Sequence, residues 1–290
     1  MGHLSELRKG AHDVKNETRK QLISWILFVI MLALGFTMIL PFIWTLSSSF
    51  KFKREIMGFP IDWIPANPTV NNYVKLWSNY PFLTYYLNTI KVTLIVLVVQ
   101  ITVSSMASYA FSKIKFPGRD LIFFLYLATM MVPWHAIMIP QFIIVSSMKL
   151  YDTHAAIILL QLFSAFSVFM MRTAMMNVPT ELSEAAHLDG ANELTIMLRV
   201  IMPSCKPSIA TLIVFTFNFM WNDYLGPMIY LNADRNKTIQ LGLASLKSQY
   251  TSEYGLIMAG TICALIPMII IYLAAQKYLI NGITFTGVKA

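Results

Sequence analysis

Residues 22–46 read LISWILFVIMLALGFTMILPFIWTL, and no charged residue occurs between Lys20 and Lys51. A helix of about 20 apolar residues is long enough to cross the hydrocarbon of a bilayer. Over the whole chain 57% of the residues are hydrophobic and 12% are charged, whereas soluble domains carry roughly 25% charged residues. We therefore expect an integral membrane protein built from helices.

Further apolar segments follow along the chain and are separated by short polar stretches. We expect an all-α membrane protein that forms a single transmembrane domain over residues 1–290. Its six transmembrane helices are predicted at about residues 22–46, 86–112, 121–146, 153–176, 208–231 and 255–280. Pro133 and Pro140 are expected to kink the third helix, because proline cannot donate an N–H within a helix.

Positive charges set the predicted orientation, since lysine and arginine are enriched in the cytoplasmic loops of membrane proteins. The N-terminal segment 1–21 is basic, and so is the short loop after the second helix. We expect segment 1–21, both termini and the long connection 177–207 to be cytoplasmic. Three basic residues on the predicted outer side fit this rule less well: Lys51, Lys53 and Arg54.

Several classes of function lack their motifs here. The net charge of +8 lies in short clusters between apolar runs, so we expect membrane lipid and not nucleic acid as a partner. There is no G-x-x-x-x-G-K-[ST] loop for nucleotide phosphates and no H-E-x-x-H or G-x-S-x-G motif. Cys205 and Cys263 have no disulfide or metal spacing. We expect no cofactor, metal or catalytic residue in this chain.

The stretch VPTELSEAAHLDG, residues 178–190, predicts a short helix in the inner connection. Thr180 is placed to cap its start, and Gly190 supplies the left-handed residue at its end. Asn192 then caps a second short helix over residues 193–201.

This second helix is expected to stop before Pro203, and Pro207 suits the first turn of the next span. From the residues alone two interpretations stay open for the pair. It is either a helix-turn-helix whose small residues Ala185 and Ala186 let another protein approach closely, or an amphipathic loop that lies on lipid headgroups.

The inner connection resembles the EAA signature of permease subunits of binding-protein-dependent ABC importers. That signature is E-A-A, three residues, G, nine residues and I-x-L-P. Here Val200 and Met202 replace the usual Ile and Leu. The resemblance implies a cytoplasmic coupling loop between the fourth and fifth helices, with these site residues: Glu184, Ala185, Ala186, Asp189, Gly190 and Pro203.

Two other stretches, FTFNFMWNDY at 215–224 and QKYLINGITFTGVK at 276–289, are similar to carbohydrate permeases of the maltose and oligosaccharide type. The resemblance implies import of a sugar, an oligosaccharide in particular, across the cytoplasmic membrane. It also implies four partners: a second, different permease subunit, two ATPase subunits docked on residues 177–207, and an extracytoplasmic sugar-binding protein. ATP and Mg²⁺ would bind the ATPase subunits, so this chain itself would not be an enzyme.

Four residues of the fifth predicted span are candidates for the substrate pathway: Asn218, Trp221, Asn222 and Asp223. Amide and carboxylate groups bind sugar hydroxyls, and an aromatic ring stacks on a sugar face. The alternative is that the asparagines join helices to each other and that Asp223 caps a helix or bridges to the other permease subunit.

Two other functions also stay open at this stage. An ABC permease for a non-sugar solute would have the same EAA loop. A secondary carrier or channel would need only the six spans. The few ionisable residues within those spans disfavour an ion-coupled carrier, because such carriers usually contain several.

Overall fold

The computed structural model describes the backbone of residues 2–247 and 253–287 and the side chains of residues 19–247 and 253–277. Within these ranges the regular elements are helices and no strand occurs. In chain order the α-helices are α1 (Gly2–Ser49), α2 (Lys53–Ile56), α3 (Asn71–Asn79), α4 (Phe82–Lys113), α5 (Arg119–Ala128), α6 (Trp134–Ser147), α7 (His154–Gln161), α8 (Ala165–Met176), α9 (Thr180–Leu188), α10 (Glu193–Ile196), α11 (Met202–Ser204), α12 (Lys206–Asn222), α13 (Leu225–Tyr230), α14 (Ile239–Ser245) and α15 (Tyr254–Gly287).

Three helices are long and apolar enough to cross a bilayer without a break: α4, the Arg19–Ser49 part of α1 and the Tyr254–Lys277 part of α15. Three more helix pairs meet the same test together but bend at a short interruption. The bends are 97° between Arg119–Met131 and α6, 41° between α7 and α8, and 83° between Glu193–Ser204 and α12. The predicted all-α membrane fold is confirmed, with six spans when each bent pair is counted as one.

The predicted third helix is divided at Pro133 and not at Pro140. Val132, the residue before Pro133, has φ −78° and ψ 115°, which is extended backbone. A residue before proline is pushed out of the helical region by contact with the proline ring. Pro140 lies inside α6 and does not end it. The helix is therefore not interrupted at the second proline where a kink was expected.

The predicted fourth helix, 153–176, is interrupted between Gln161 and Ala165. Ser164 is extended there, and its hydroxyl accepts a hydrogen bond from the backbone N–H of Ser167 at 3.2 Å. A serine at this position satisfies one of the N–H groups that a new helix leaves free. The single helix predicted over 153–176 is therefore two helices, α7 and α8.

The predicted fifth helix, 208–231, ends early. Asp223 has φ −66° and ψ 118°, which stops α12 at Asn222. Its carboxylate accepts a hydrogen bond from the backbone N–H of Gly226 at 3.1 Å, inside the short helix α13. The acid therefore works as a local cap at a helix break, which was one of the alternatives left open for it.

Helix α4 is the centre of the bundle, since α7, α8, α12 and α14 all pack against it. The side facing α8 carries small serines that are buried, and the Ser108 hydroxyl donates to the Val168 carbonyl of α8 at 2.8 Å. Small and hydroxylated residues let membrane helices approach closely and join them by hydrogen bonds.

Asp152 joins the loop between α6 and α7 to the loop that follows α13. Its carboxylate accepts from the backbone N–H groups of Asn232 at 2.8 Å and Ala233 at 3.0 Å. These hydrogen bonds, led by that of Asn232, hold the pKa of the Asp152 carboxyl below its usual range. The two loops are thereby fixed to each other.

Most of α1 lies apart from the rest of the chain. In its apolar window none of the residues is buried by other parts of the structure described here. Trp25, Leu32 and Met38, for example, are 67%, 64% and 72% exposed. In water such a surface would be strongly unfavourable, so it must be covered by lipid or by another subunit.

We predict that the α4–α14 contact tolerates no side chain at Gly242. A Cβ atom there would lie 2.2 Å from Cδ2 of Tyr85, which itself is buried. We expect Gly242→Ala to lower the free energy of unfolding by about 1–3 kcal/mol, the usual cost of overpacking. The matched control is Gly35→Ala in α1, where nothing lies within 4 Å of the new Cβ. Equal thermal unfolding midpoints for the two variants in detergent would contradict this packing.

Candidate functional site

The inner connection forms a helix-turn-helix whose turn has the geometry expected for a glycine C-cap. Gly190 has φ +80°. Its N–H donates to the carbonyl of His187 at 3.0 Å, and the N–H of Ala191 donates to that of Ala186 at 3.0 Å. This pair of hydrogen bonds is a Schellman motif, which satisfies the last carbonyls of a helix and requires a left-handed residue. The first helix begins at Thr180 itself, with Pro179 at the N-cap position and no side-chain cap, so the predicted Thr180 cap is wrong.

The second part of the pair starts as predicted and ends later than predicted. The Asn192 side chain accepts from the Thr195 N–H at 2.8 Å, which confirms the predicted cap. After α10 the chain makes a wide π-helical turn over Met197–Ile201 and continues through Pro203 to Ser204. The bend of 83° into α12 follows at Cys205. Pro203 therefore lies inside the last turn instead of stopping the helix before it.

The exposed surface of the helix pair carries small, acidic and apolar side chains. Glu184, Ala185, Asp189 and Gly190 are exposed, whereas Ala186 is partly buried against the inner core cluster. The buried residues of this cluster are Tyr109, Met171, Met175, Val178, Ile196, Met197, Ile201, Cys205 and Leu212. Leu188 at the end of α9 is 90% exposed. Leu188 was not among the predicted site residues, although its position directly before the Asp-Gly turn could have pointed to it.

The C-terminal end of α4 holds the helix-turn-helix at two points, before α9 and at the start of α10. The Tyr109 hydroxyl donates to Oε2 of Glu193 at 2.5 Å, and Lys113 Nζ donates to the carbonyl of Val178 at 2.6 Å. The other carboxylate oxygen of Glu193 lies 3.2 Å from Nε2 of His187, across the turn. The two contacts made by α4 join residues 84 and 65 apart in sequence, and Tyr109 and Lys113 were not among the predicted site residues.

Of the four pathway candidates, the two asparagines are exposed and bonded to each other. Nδ2 of Asn222 donates to Oδ1 of Asn218 at 2.9 Å and to its backbone carbonyl at 3.0 Å. Gln240 extends this polar group, since its Nε2 donates to Oδ1 of Asn222 at 3.3 Å. The structure thus brings Asn218 and Asn222 together on one face of α12.

Trp221 does not belong to that face. It is 1% exposed, stacks on Phe217 with ring centroids 5.2 Å apart, and donates from its indole N–H to the Ala264 carbonyl of α15 at 2.9 Å. Its ring is buried and its polar atom is hydrogen-bonded inside the fold. The predicted pathway role of Trp221 is therefore incompatible with its place in the core.

A cavity of about 490 Å³ opens where the α7–α8 break faces α4 and α12. Its lining combines polar groups with aromatic rings: Gln100, Gln161, Ser164, Ser167, Thr216, Asn218, Phe163, Phe166, Phe215 and Phe219. At its base the Thr216 hydroxyl donates to Oε1 of Gln100 at 2.9 Å, and both groups are buried. Among the described side chains no group of three or more His, Cys, Asp or Glu residues is placed to hold a metal ion.

Comparison with known proteins identifies a single family. Residues 100–284 match the family described as "Binding-protein-dependent transport system inner membrane component". The chain is 33% identical to the arabinooligosaccharides transport system permease protein AraQ of Bacillus subtilis, covering 91% of this chain and 94% of that protein. It is 32% identical to the lactose transport system permease protein LacG of Rhizobium radiobacter, covering 91% and 96%.

A crystal structure of a bacterial ABC transporter involved in the import of the acidic polysaccharide alginate contains a chain with the same architecture. That chain is 25% identical to this one, with a TM-score of 0.81, over 89% of this chain and 97% of the other. The family match and the identity to AraQ and LacG lead to one assignment. The chain belongs to the family of inner membrane permease components of binding-protein-dependent transport systems.

Proposed function

We propose that this chain is the permease subunit of an ATP-driven importer that carries a sugar, an oligosaccharide in particular, across the cytoplasmic membrane. The names of its relatives, which refer to arabinooligosaccharides and lactose, support the substrate class. The family is one of transporter components and not of enzymes. The observation that carries the proposal is the exposed helix-turn-helix, which has the EAA residues and the Gly190 turn on one end of a helical bundle.

In this proposal two ATPase subunits hold ATP and Mg²⁺ and dock on residues 177–207. The exposed Glu184, Ala185 and Asp189 offer a narrow surface that a protein groove can enclose. Leu188 provides a side chain that gains free energy by leaving water, roughly 1.5–3 kcal/mol if it becomes fully buried. Closure of the ATPase subunits would then move α9 as a rigid body and switch the bundle between two arrangements.

Both termini are cytoplasmic in this proposal, and one contact supports that orientation. Lys113 at the end of α4 donates to Val178 before α9, so the basic loop after α4 and the coupling loop lie on the same side of the bundle. Basic loops are retained in the cytoplasm. The remaining partners are an extracytoplasmic sugar-binding protein, which the family description supports, and a second, different permease subunit against the uncovered face of α1.

Asn218 is the residue that we place in the sugar pathway with the best structural support. It lines the 490 Å³ cavity, it is exposed, and its amide is already part of a polar group with Asn222. Polar side chains beside phenylalanine rings suit a ligand with hydroxyl groups on its edge and C–H groups on its face. Asn222 lies next to this cavity and orients Asn218, whereas Asp223 is used to cap α13.

We predict that Gly190→Val uncouples the complex. A β-branched residue at φ +80° carries strain of about 1–2 kcal/mol, and relaxing it displaces the exposed end of α9. We expect binding-protein-stimulated ATP hydrolysis and sugar uptake in proteoliposomes to fall together by about tenfold, the equivalent of 1.4 kcal/mol. The matched control is Gly118→Val, which has φ +78° but lies in the α4–α5 loop. Normal coupled activity in Gly190→Val would refute docking through this turn.

We predict that Asn218→Leu lowers sugar uptake and leaves assembly intact, because the new side chain has similar volume and no hydrogen-bonding group. Loss of hydrogen bonds worth about 1–1.5 kcal/mol reduces uptake at low sugar concentration by roughly tenfold. Thr102→Val is the control, since that exposed hydroxyl bonds only the Val98 carbonyl of its own helix. Unchanged uptake of every sugar in a labelled panel would remove Asn218 from the pathway, and a failure to assemble would make it a contact between helices.

A further inference from the structure

The last turns of α4 carry two polar side chains that hold the helix-turn-helix. Tyr109 and Lys113 are four residues apart and therefore lie on one face of the helix. Tyr109 bonds Glu193, the first residue of α10, and Lys113 bonds the carbonyl of Val178, two residues before α9. The residue pair before α9 and the start of α10 are thus both attached to the same helix.

Glu193 is the point at which three elements meet. One carboxylate oxygen accepts from the Tyr109 hydroxyl of α4 at 2.5 Å, and the other faces His187 of α9 at 3.2 Å. The Tyr109 side chain is only 5% exposed and packs in the inner core cluster beside Ile196 and Ile201. A hydrogen bond to an ionised acceptor is shorter and about twice as strong as one between neutral groups. The link is therefore a strong polar contact between α4 and α10.

We propose that Tyr109 is a positioning residue that passes the movement of the helix-turn-helix to α4 through the carboxylate of Glu193. Helix α4 also carries Gln100, at the base of the cavity that contains Asn218. A displacement that enters α4 at Tyr109 reaches the cavity two and a half helical turns along the same helix. The inference rests on the proposed function, because it takes the helix-turn-helix to be the part that the ATPase subunits move.

A second set of polar contacts at the same end of the bundle provides a control. Arg172 of α8 pairs with Asp120 of α5 at 2.9 Å, donates to the Phe111 carbonyl at 3.1 Å and lies over the Phe123 ring. These contacts join α4, α5 and α8 and do not involve the helix-turn-helix. Asp120→Asn therefore weakens a polar contact of similar size without touching the proposed link.

The test uses the complete reconstituted complex with its binding protein and measures sugar molecules imported per ATP hydrolysed. In Tyr109→Phe the ring and its packing remain, so we expect normal assembly and continued ATP hydrolysis. The import ratio should fall by about tenfold, as expected for loss of one hydrogen bond to a charged group. Glu193→Gln should retain most of the ratio, because its amide oxygen still accepts from Tyr109.

Tyr109→Phe, Glu193→Leu and the double variant should be compared by their import ratios. The ratio of the double variant should be no lower than that of the more impaired single variant, which is the signature of two residues acting through one interaction. Asp120→Asn should keep the normal ratio. An unchanged ratio in Tyr109→Phe would overturn the inference and leave ATP-driven import standing. Failure of Tyr109→Phe to assemble would show a merely structural role and would also overturn it. Absence of ATP-driven uptake by the unmodified complex would contradict the proposed function, and the inference with it.

Discussion

Backbone N–H and C=O groups have no water to bind within a bilayer, so a chain that crosses it must pair these groups internally. This requirement shapes each interruption in the bundle. At the α7–α8 break the Ser164 hydroxyl accepts an N–H of the new helix, and after α12 the Asp223 carboxylate does the same. Where a break is capped in this way, the two helix segments can diverge. The cavity beside α12 opens at the first of these breaks.

Helix α4 connects this cavity to the helix-turn-helix. It is unbroken over Phe82–Lys113, and it carries Gln100 near the cavity and Tyr109 at the helix-turn-helix. Its buried serines bring α8 close, and α12 packs against it as well. A continuous helix with polar contacts at both places can couple two distant sites, because packed interfaces change between discrete arrangements.

Much of this architecture was predictable from the sequence, for identifiable reasons. Uncharged runs locate the spans, and a glycine followed by an asparagine cap locates the turn at Gly190 and Asn192. The break before Ser164 was not predictable, since serine occurs in both unbroken and capped membrane helices. Trp221 was a pathway candidate because an aromatic ring can stack on a sugar face. Its burial was not predictable, since the period of one helix does not show which face another helix covers. The Tyr109–Glu193 bond joins residues 84 apart, and no local pattern marks such a pair.

The measurement that tests the central claim most directly is oligosaccharide uptake into proteoliposomes containing the complete complex. ATP and Mg²⁺ would be enclosed in one set of vesicles and omitted from another, with binding protein outside and an ion gradient imposed in each. If the helix-turn-helix couples ATP hydrolysis to this permease, uptake requires both enclosed ATP and binding protein, and the ion gradient adds nothing. Uptake driven by the gradient without ATP, or without binding protein, would contradict the account.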